Sequence, residues 1–349
     1  MRVVVVGGSG NVGTSTIEAL GRASEVGSVL GLARRVPEWR PAKTEWAQAD
    51  IVHDDLAQHF RGADAVIHLA WLIQPSRDQA TLRVANVDGS RRVFRAAAEA
   101  EVPSLVYASS VGAYSRGPKD RAVDETWPTD GIPTSFYSRH KAEVERILDR
   151  FEADHPSVRV VRLRPGLIFK GDAAEEVRRL FAGPFLPSFL LHRRLMPLVP
   201  RIAGLRFQAV HSLDVGEAYR LAATGNVRGA FNVAAEPVVG PDELAEALDA
   251  RTVGLPAAAV RALTWATWQL RLQPTPPGWL DMALGVPIME TRRARTELGW
   301  EPRRSSLEAL LELLEGMRKG QGMPAPPLDP ETGGPARMGE IKGRVGGRP

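Results

Sequence analysis

A glycine-rich turn near the amino terminus constrains the fold of this chain more than any other feature. The run Val3 to Val6 reads as a short buried strand that stops at Gly7, and residues 14–20 then have helical character. The spacing G-x-x-G-x-x-G between strand and helix permits a tight turn and lets the backbone approach a pyrophosphate at a helix N-terminus. A plain strand-to-helix turn is the alternative. The pattern favours a dinucleotide site that contains Gly7, Gly10, Asn11, Val12 and Gly13.

Strands and helices alternate through the first half of the chain. Short β-branched or apolar runs are typical of strands, and apolar residues on one side of a longer segment are typical of helices. By these patterns we predict strands at 28–33, 65–70, 105–109 and 158–163, and helices at 86–100 and 136–151. This order predicts an α/β fold, a Rossmann-type doubly wound parallel sheet covered by helices on both faces.

The character of the sequence changes after Gly166. We predict a dinucleotide-binding Rossmann core over 1–169 and a smaller, mostly helical substrate lobe over 170–320, of which 208–235 returns to the core. From 321 to 349 the chain is rich in Pro, Gly and charge. Such a composition buries too little apolar surface to offset the ordering entropy, so this segment is predicted to be a disordered tail.

Bulk composition excludes several classes of protein. The apolar fraction of 44% and charged fraction of 25% are those of an ordinary globular protein, and a dispersed net charge of +4 argues against nucleic acid as a partner. Cysteine is absent and the histidines lack ligand-like spacing, so no metal site is expected. We find no signal peptide and no membrane span, and we expect a cytoplasmic location. Residues 261–271 alternate Arg with Leu and Trp as interfacial helices can, but a helix packed on the core is favoured.

The end of the second predicted strand bears on the choice of cofactor. An acidic residue there would bind the ribose 2′-hydroxyl of NAD, whereas this chain has Ala33 followed by Arg34 and Arg35. Because guanidinium groups pair with phosphate, NADP is favoured over NAD. Solvated loop charges are the alternative. Asp50 and Ile51 are placed where they could meet the adenine, although a surface position is equally consistent with the sequence.

Tyr137 and Lys141 are the candidate catalytic pair. Residues four apart lie on one face of a helix, and a nearby ammonium favours the phenolate form of tyrosine and lowers its pKa. Ser110 follows a predicted strand end, where α/β sheets present ligand-binding groups, and its hydroxyl could orient a substrate oxygen. A chance helical pair and an ordinary turn serine are the alternatives.

These motifs, in this order, resemble the extended short-chain dehydrogenases/reductases of the NAD-dependent epimerase/dehydratase type. The resemblance spans about residues 1–315 and implies that the tyrosine is the acid/base, that the lysine tunes it, and that Ser110 polarises the substrate oxygen. It also implies cofactor contacts from Leu69, Ala70, Asn86, Pro165 and Gly166, besides Tyr137 and Lys141. Family members often form homodimers through the helices matching 86–100 and 137–152.

The expected activity is hydride transfer between the nicotinamide and a secondary alcohol or ketone of a small-molecule substrate. An epimerase of the sugar-nucleotide type, using the same Ser-Tyr-Lys site for transient oxidation, is the first alternative. A non-catalytic NADP-binding sensor is an alternative from another class, since a fold alone does not prove activity. The presence of Ser110, Tyr137 and Lys141 favours an enzyme.

Overall fold

The computed structural model describes residues 1–182 and 197–333. Its strands, in chain order, are β1 (Arg2–Val6), β2 (Ser28–Ala33), β3 (Thr44–Gln48), β4 (Ala65–His68), β5 (Ser104–Ala108), β6 (Ala122–Val123), β7 (Arg159–Pro165), β8 (Leu167–Phe169), β9 (Leu198–Arg201), β10 (Ala209–His211), β11 (Gly229–Val233), β12 (Arg251–Gly254) and β13 (Ile288–Met289).

The helices of the described residues surround these strands. They are α1 (Asn11–Arg22), α2 (Ala57–Phe60), α3 (Gln79–Arg83), α4 (Gly89–Glu99), α5 (Phe136–Asp154), α6 (Ala174–Val177), α7 (Ser212–Thr224), α8 (Pro241–Leu248), α9 (Ala257–Gln269), α10 (Gly278–Gly285), α11 (Arg292–Thr296) and α12 (Ser306–Lys319). Short π-helical turns at Val84–Asp88 and Arg178–Ala182 and 3₁₀ turns at Val111–Ala113, Gly171–Ala173 and Pro330–Gly333 complete the list.

The main sheet confirms the predicted Rossmann-type fold. Seven parallel strands follow the order β11-β7-β5-β4-β1-β2-β3, and two-stranded pairings join β8 to β10, β9 to β12 and β6 to β13. The order reverses beside β1, so the crevice at the carboxyl ends of β1 and β4 is where such a sheet binds ligands.

The run of valines in β1 explains why both faces of the sheet are covered. Val3 and Val5 belong to a core cluster with Ile17 of α1, whereas Val4 and Val6 belong to the cluster on the opposite face, with Phe94 of α4. Side chains alternate along a strand, so a strand that is apolar at every position needs a packing layer on each side.

Both edge strands of the sheet were missing from the sequence-based prediction. β3 has the sequence TEWAQ and is only partly buried, because it lies at the edge beyond β2. β11 occupies the other edge, beside β7. Neither strand has the uninterrupted apolar pattern that marks the central strands, since an edge strand needs less apolar surface.

Two segments differ from the sequence-based expectations. Residues 321–333 pack on the protein instead of forming a disordered tail, and Ala325 and Leu328 are buried there. The rest of the predicted tail, 334–349, and part of the predicted lobe, 183–196, lie outside the described residues. Helix α9 has no buried residue, so the favoured prediction of a helix packed on the core is wrong.

Among the described residues no helix is long and apolar enough to cross a membrane.

The helices proposed for a dimer carry charged outward faces. On α4 these faces expose Arg91 and Arg95, and on α5 they expose Arg139 and Arg146. Arg91 pairs with Asp88 within the chain. The homodimer stays a prediction.

The contact between α1 and α7 generates a stability prediction. A Cβ atom at Gly216 of α7 would lie 2.4 Å from the carbonyl oxygen of Ser15 in α1, so the two helices must separate if a side chain is added. We expect Gly216→Ala to lower the free energy of unfolding by about 1–3 kcal/mol, measured by chemical denaturation. Gly254→Ala is the control, because nothing lies within 4 Å of a Cβ there. Equal stability of both variants would contradict this close packing.

Candidate active site

The glycine turn after β1 is shaped by two positions that exclude a side chain. Gly7 has φ 87°, and a Cβ there would lie 2.6 Å from the amide nitrogen of Ala70. A Cβ at Gly13 would lie 2.3 Å from the carbonyl oxygen of Gly7. Gly10 is different, because a Cβ there would lie 3.9 Å from its nearest neighbour, the carbonyl oxygen of Gly7. Gly10 therefore leaves open space beside the turn. The sequence thus folds the backbone into a tight cradle at the start of α1.

The first turn of α1 has unused polar groups facing this cradle. Gly10 is the N-cap residue and supplies no side-chain cap, so the first amide groups of the helix lack side-chain partners. The Oδ1 atom of Asn11 is buried without a hydrogen-bond partner in the described part of the chain. Lys170 donates from Nζ to Thr14 Oγ1 at 2.9 Å, which adds a buried cation near this helix end. A cradle of this kind fits the pyrophosphate of a dinucleotide.

Four residues were expected at the adenine end of the cofactor, and they differ in whether their side chains already have partners. Arg34 and Arg35 are exposed beyond β2, and neither side chain has a partner among the described residues. Asp50 accepts a hydrogen bond from the Val52 amide at 2.8 Å, so its carboxylate already stabilises a turn. Ile51 packs against Gly89 of α4, where a Cβ would lie 2.7 Å from its Cδ1. The two arginines are therefore the free groups at this end.

Asn86 fixes the loop that follows β4. It lies in the π-helical turn Val84–Asp88 and is fully buried. Its Oδ1 accepts from the Leu72 amide at 2.7 Å, and its Nδ2 donates to the Leu72 carbonyl at 3.0 Å. Both amide atoms are thus used on the backbone beside Leu69, Ala70 and Trp71. Asn86 thus fixes this loop, and its predicted contact with the cofactor stays a prediction.

The structure brings Ser110 and Tyr137 together. Ser110 begins a short 3₁₀ turn after β5, and its Oγ, which accepts from the Gly112 amide at 3.0 Å, lies near enough to Tyr137 to lower the phenol pKa. Burial has the larger effect and raises the pKa of Tyr137 to about 12. A Cβ at Gly112 would lie 2.8 Å from the tyrosine Cε1, so the phenol ring lies directly against this turn. Lys141 was expected to lower the pKa of Tyr137. Within the chain it makes no resolved contribution to that pKa.

Lys141 lies one helical turn beyond Tyr137 and is almost fully buried. Its Nζ donates to the Ala108 carbonyl at 2.6 Å and lies 3.5 Å from the ring centroid of Trp71. The distance from Nζ to the Tyr137 ring centroid is 5.8 Å. Burial holds the lysine pKa well below its usual value, and the nearby Glu145 carboxylate partly restores it.

A buried ion network holds helix α5 in place. Glu145 of α5 accepts from Arg164 Nε and Nη2 at 2.9 and 3.0 Å and from Arg162 Nη1 at 2.9 Å. It also accepts from Ser109 Oγ at 2.5 Å. Although burial alone would raise it, the two guanidinium groups and Ser109 lower the pKa of Glu145 to about 2. The network joins α5 to the ends of β5 and β7.

Apolar and aromatic side chains form the wall around Tyr137. The Trp279 ring centroid lies 5.1 Å from that of Tyr137, and Trp71 contacts Tyr137 edge-on at 5.9 Å. Phe181 in turn contacts Trp279 edge-on at 5.0 Å. Both tryptophan Nε1 atoms are buried without a partner in the described residues. The other members of this cluster are Leu72, Ile73, Leu82, Val111, Ile132, Phe136, Met282 and Val286.

Pro165 and Gly166 end β7 at the same edge of the sheet. The Gly166 amide donates to the Val233 carbonyl at 3.0 Å. A Cβ at Gly166 would lie 2.4 Å from the Gln208 carbonyl oxygen, so this close approach requires glycine. Both residues are buried beside the strand that leads to Ser110.

Sequence reasoning missed three residues of this site. Glu145 continues the i, i+4 spacing of Tyr137 and Lys141, so the helical period offered a signal for it. Trp71 directly follows the Leu69-Ala70 pair after β4. Trp279 offered no local signal, because it lies far along the chain and reaches Tyr137 only through the tertiary fold.

The whole arrangement, a nucleotide cradle beside a buried Ser-Tyr-Lys group on a parallel sheet, defines a class of dinucleotide-dependent enzymes. The profile of the NAD dependent epimerase/dehydratase family matches residues 3–234, which is well over half of the chain. The chain therefore belongs to this family and is an enzyme of the extended short-chain dehydrogenase/reductase type.

Individual relatives are distant. A sterol-4-alpha-carboxylate 3-dehydrogenase (decarboxylating) of Candida albicans is 29% identical over 178 residues, which are 48% of this chain and 50% of the relative. A 4-hydroxy-2-methyl-3-oxo-4-farnesyl-3,4-dihydroquinoline-1-oxide ketoreductase of Stigmatella aurantiaca is 29% identical over 176 residues, or 49% and 52% of the two chains. The chain thus spans about half the length of these curated relatives.

Solved structures share the fold over nearly the whole chain. MoeE5 in complex with UDP-glucuronic acid and NAD gives a TM-score of 0.67 at 21% identity, covering 91% of this chain and 99% of MoeE5. A UDP-glucuronic acid 4-epimerase mutant of Bacillus cereus, with NAD and a fluorinated UDP-sugar, gives 0.67 at 15% identity, covering 91% and 99%. At these identities the likeness establishes the fold alone.

The ion network generates a pH prediction. Glu145 has a folded-state pKa of about 2, below the value of 4.5 for a free carboxyl group, so its charge stabilises the folded state above pH 4.5. This stabilisation, on the order of 3 kcal/mol, is lost as the pH falls from about 4.5 toward 2. We expect Glu145→Gln to lower the free energy of unfolding at pH 7 and to flatten its pH dependence in this window, measured by urea titration at several pH values.

The control for Glu145→Gln is Asp149→Asn, which removes another carboxylate that pairs with Arg162. The Asp149 side chain is 61% exposed, so its loss is expected to cost less than about 1 kcal/mol. If Glu145→Gln were as stable as the parent protein at pH 7, the network would not have the role assigned to it.

Proposed function

We propose that this enzyme interconverts a secondary alcohol and a ketone in an NAD(P)-dependent oxidoreductase reaction, with Ser110, Tyr137 and Lys141 as its catalytic residues. The observation that carries the proposal is the Tyr137 phenol, which lies against the turn of Ser110 and Gly112 and packs in an apolar cluster. The nicotinamide of the bound cofactor supplies or accepts the hydride. The cradle of Gly7 and Gly13 would hold its pyrophosphate.

The protonated form of Tyr137 is the one needed for ketone reduction. A phenol with a pKa of about 12 is protonated at neutral pH, and this is the form that donates a proton to a developing alkoxide. Ser110 orients the substrate oxygen beside the phenol. The Lys141 ammonium, 5.8 Å from the phenol ring centroid, stabilises the phenolate that remains after proton donation.

The wall around Tyr137 supports an apolar substrate. Trp71 and Trp279 contact the phenol ring, and Phe181 packs on Trp279 behind it. An aromatic surface of this kind excludes water and favours flat or prenylated ring systems over sugar nucleotides. The names of the two curated relatives point in the same direction, since they specify a sterol and a farnesylated dihydroquinoline. We therefore propose a polycyclic or prenylated ketone as the substrate class.

The sugar-nucleotide epimerase is the second candidate. It is favoured by the fold neighbours, which were solved with UDP-sugars and NAD. It is disfavoured by the apolar wall, which offers few partners for sugar hydroxyl groups. An epimerase would show no net oxidation or reduction of added cofactor, whereas a ketoreductase consumes one NADPH for each ketone reduced.

The test of the reaction is the Tyr137→Phe variant. We expect turnover of a responsive polycyclic or prenylated ketone, followed by NADPH absorbance, to fall by at least about 100-fold, because the proton donor is lost. The dissociation constant for NADPH is expected to change little. Tyr219→Phe, which removes a buried tyrosine hydroxyl from α7, is the control and should keep parental turnover.

Near-normal turnover of Tyr137→Phe would refute its role as the acid. Product formation from a UDP-sugar without net NADPH consumption would instead favour the epimerase. Failure of the parent protein to bind either nicotinamide dinucleotide would reject both candidates.

The cofactor proposal is a preference for NADP over NAD. Arg34 and Arg35 are exposed without partners at the end of β2, where Ala33 replaces the acid that would repel a 2′-phosphate. We expect the Arg34→Ala/Arg35→Ala double variant to raise the KM for NADPH by at least about tenfold while leaving that for NADH nearly unchanged. Arg22→Ala at the far end of α1 is the control. Equal effects on both cofactors would contradict this preference.

A further inference from the structure

Helix α9 turns an apolar face away from the protein. Leu263 is 65% exposed, Trp265 is 52% exposed and Leu270, which follows the helix, is 70% exposed. Ala258, Ala259 and Ala262 are exposed on the same side, where Gln269 is the polar exception. The outward side of a surface helix is normally polar, because its apolar side packs on the core. This helix therefore has the reverse arrangement.

The helix is held firmly despite burying no residue. Arg261 forms a two-bond ion pair with Asp281 of α10 at 2.8 and 3.0 Å. The guanidinium of Arg77 lies 4.0 Å from the ring centroid of Trp268 and also donates to the Trp268 carbonyl. Trp268 is partly buried, whereas Arg261 is half exposed at the edge of the outward face, beside the exposed apolar side chains.

Further large apolar side chains are exposed in the segments before and after the helix. On the amino-terminal side Leu255 and Val253 are 42% and 41% exposed, and Leu198 of the paired strand β9 is 57% exposed. On the carboxyl side Leu272 is 50% exposed. We call Leu198, Val253, Leu255, Leu263, Trp265, Leu270 and Leu272 the docking surface.

The charges around the docking surface select its partner. Residues 250–280 contain Arg251, Arg261 and Arg271 and no acidic residue; Asp249 and Asp281 flank this stretch, and Asp281 is already paired with Arg261. Arg251 and Arg271 are exposed, and their side chains have no partner among the described residues. A second copy joined through the same surface would bring these arginines together. The segment 183–196, which carries two further arginines and no acid, could not neutralise them either.

We propose that the docking surface binds an anionic lipid bilayer, with α9 lying in the plane of the lipid headgroups. Leucine and tryptophan side chains enter the boundary between headgroups and acyl chains, while arginines pair with lipid phosphates. A helix of this length lies on a membrane and does not cross it.

The position of α9 gives this docking a use. Asp281, which pairs with Arg261 of α9, lies on the same helix as Trp279, and Trp279 contacts Tyr137. The ion pair thus joins the helix of the docking surface to the helix that carries Trp279, so docking on a bilayer would hold the apolar wall close to the source of an apolar ketone. This use rests on the proposed function, whereas the binding of lipid does not.

The test measures flotation of the full chain with vesicles, without substrate or cofactor. We expect binding to vesicles of phosphatidylcholine with phosphatidylglycerol, weaker binding to phosphatidylcholine alone, and a decrease with added salt. Leu263→Gln/Leu270→Gln should lower the partition coefficient by at least about tenfold, because two large apolar side chains are removed from the interface. Arg271→Gln should weaken binding to the anionic vesicles alone.

Matched controls are Val84→Gln, at an aliphatic side chain 43% exposed elsewhere, and Arg303→Gln, at an exposed arginine without a partner. Both should bind vesicles as the parent does, and thermal unfolding should show that all variants are folded. The proposal is overturned if the parent protein does not float, or if the double variant floats equally well. It is also overturned if light scattering shows a parental dimer that the double variant abolishes, because the partner is then a second copy. If the protein reduces the ketone in solution but does not bind vesicles, the docking proposal is rejected and the proposed function stands.

Discussion

The buried carboxylate of Glu145 is the interaction on which the geometry of the candidate site depends. It receives two bonds from Arg164, one from Arg162 and one from Ser109, and it lies one turn beyond Lys141. Removing one member of such a network leaves a buried charge uncompensated, which is far more costly than losing an exposed pair. The network therefore holds helix α5 against β5 and β7, which places the Tyr137 ring against the turn that follows Ser110.

The same site combines a polar floor with an apolar wall. The polar side consists of Glu145, Arg162, Arg164 and Ser109, which hydrogen-bond one another. The apolar side, formed by tryptophan and phenylalanine, supplies few polar partners. This division suits a reaction that moves one proton at one oxygen while the rest of the substrate is held by apolar contact. Helix α10, which carries Trp279 of the wall, is joined by an ion pair to α9, a helix whose large apolar side chains are exposed.

Sequence patterns predicted the central part of the fold well. Val3 to Val6 form a strand covered on both faces, and the helix with Tyr137 begins at Phe136 as the pattern indicates. The edge strand β3 was missed because half-exposed strands have a weak apolar period. Helix α9 was placed on the core because its periodicity gives no sign of which side packs inward. The pKa of Tyr137 was expected to fall, but burial, which sequence cannot measure, raises it.

The sequence by itself determined what is local: a glycine cradle between a strand and a helix, and a tyrosine and lysine on one helical face. Backbone geometry fixes such relations within a few residues. The tertiary structure decided what is distant. It placed Trp279 against Tyr137, turned α9 outward, and drew two arginines of β7 onto one carboxylate of α5. Contacts of this kind depend on how separate elements pack, and no spacing along the chain encodes that packing.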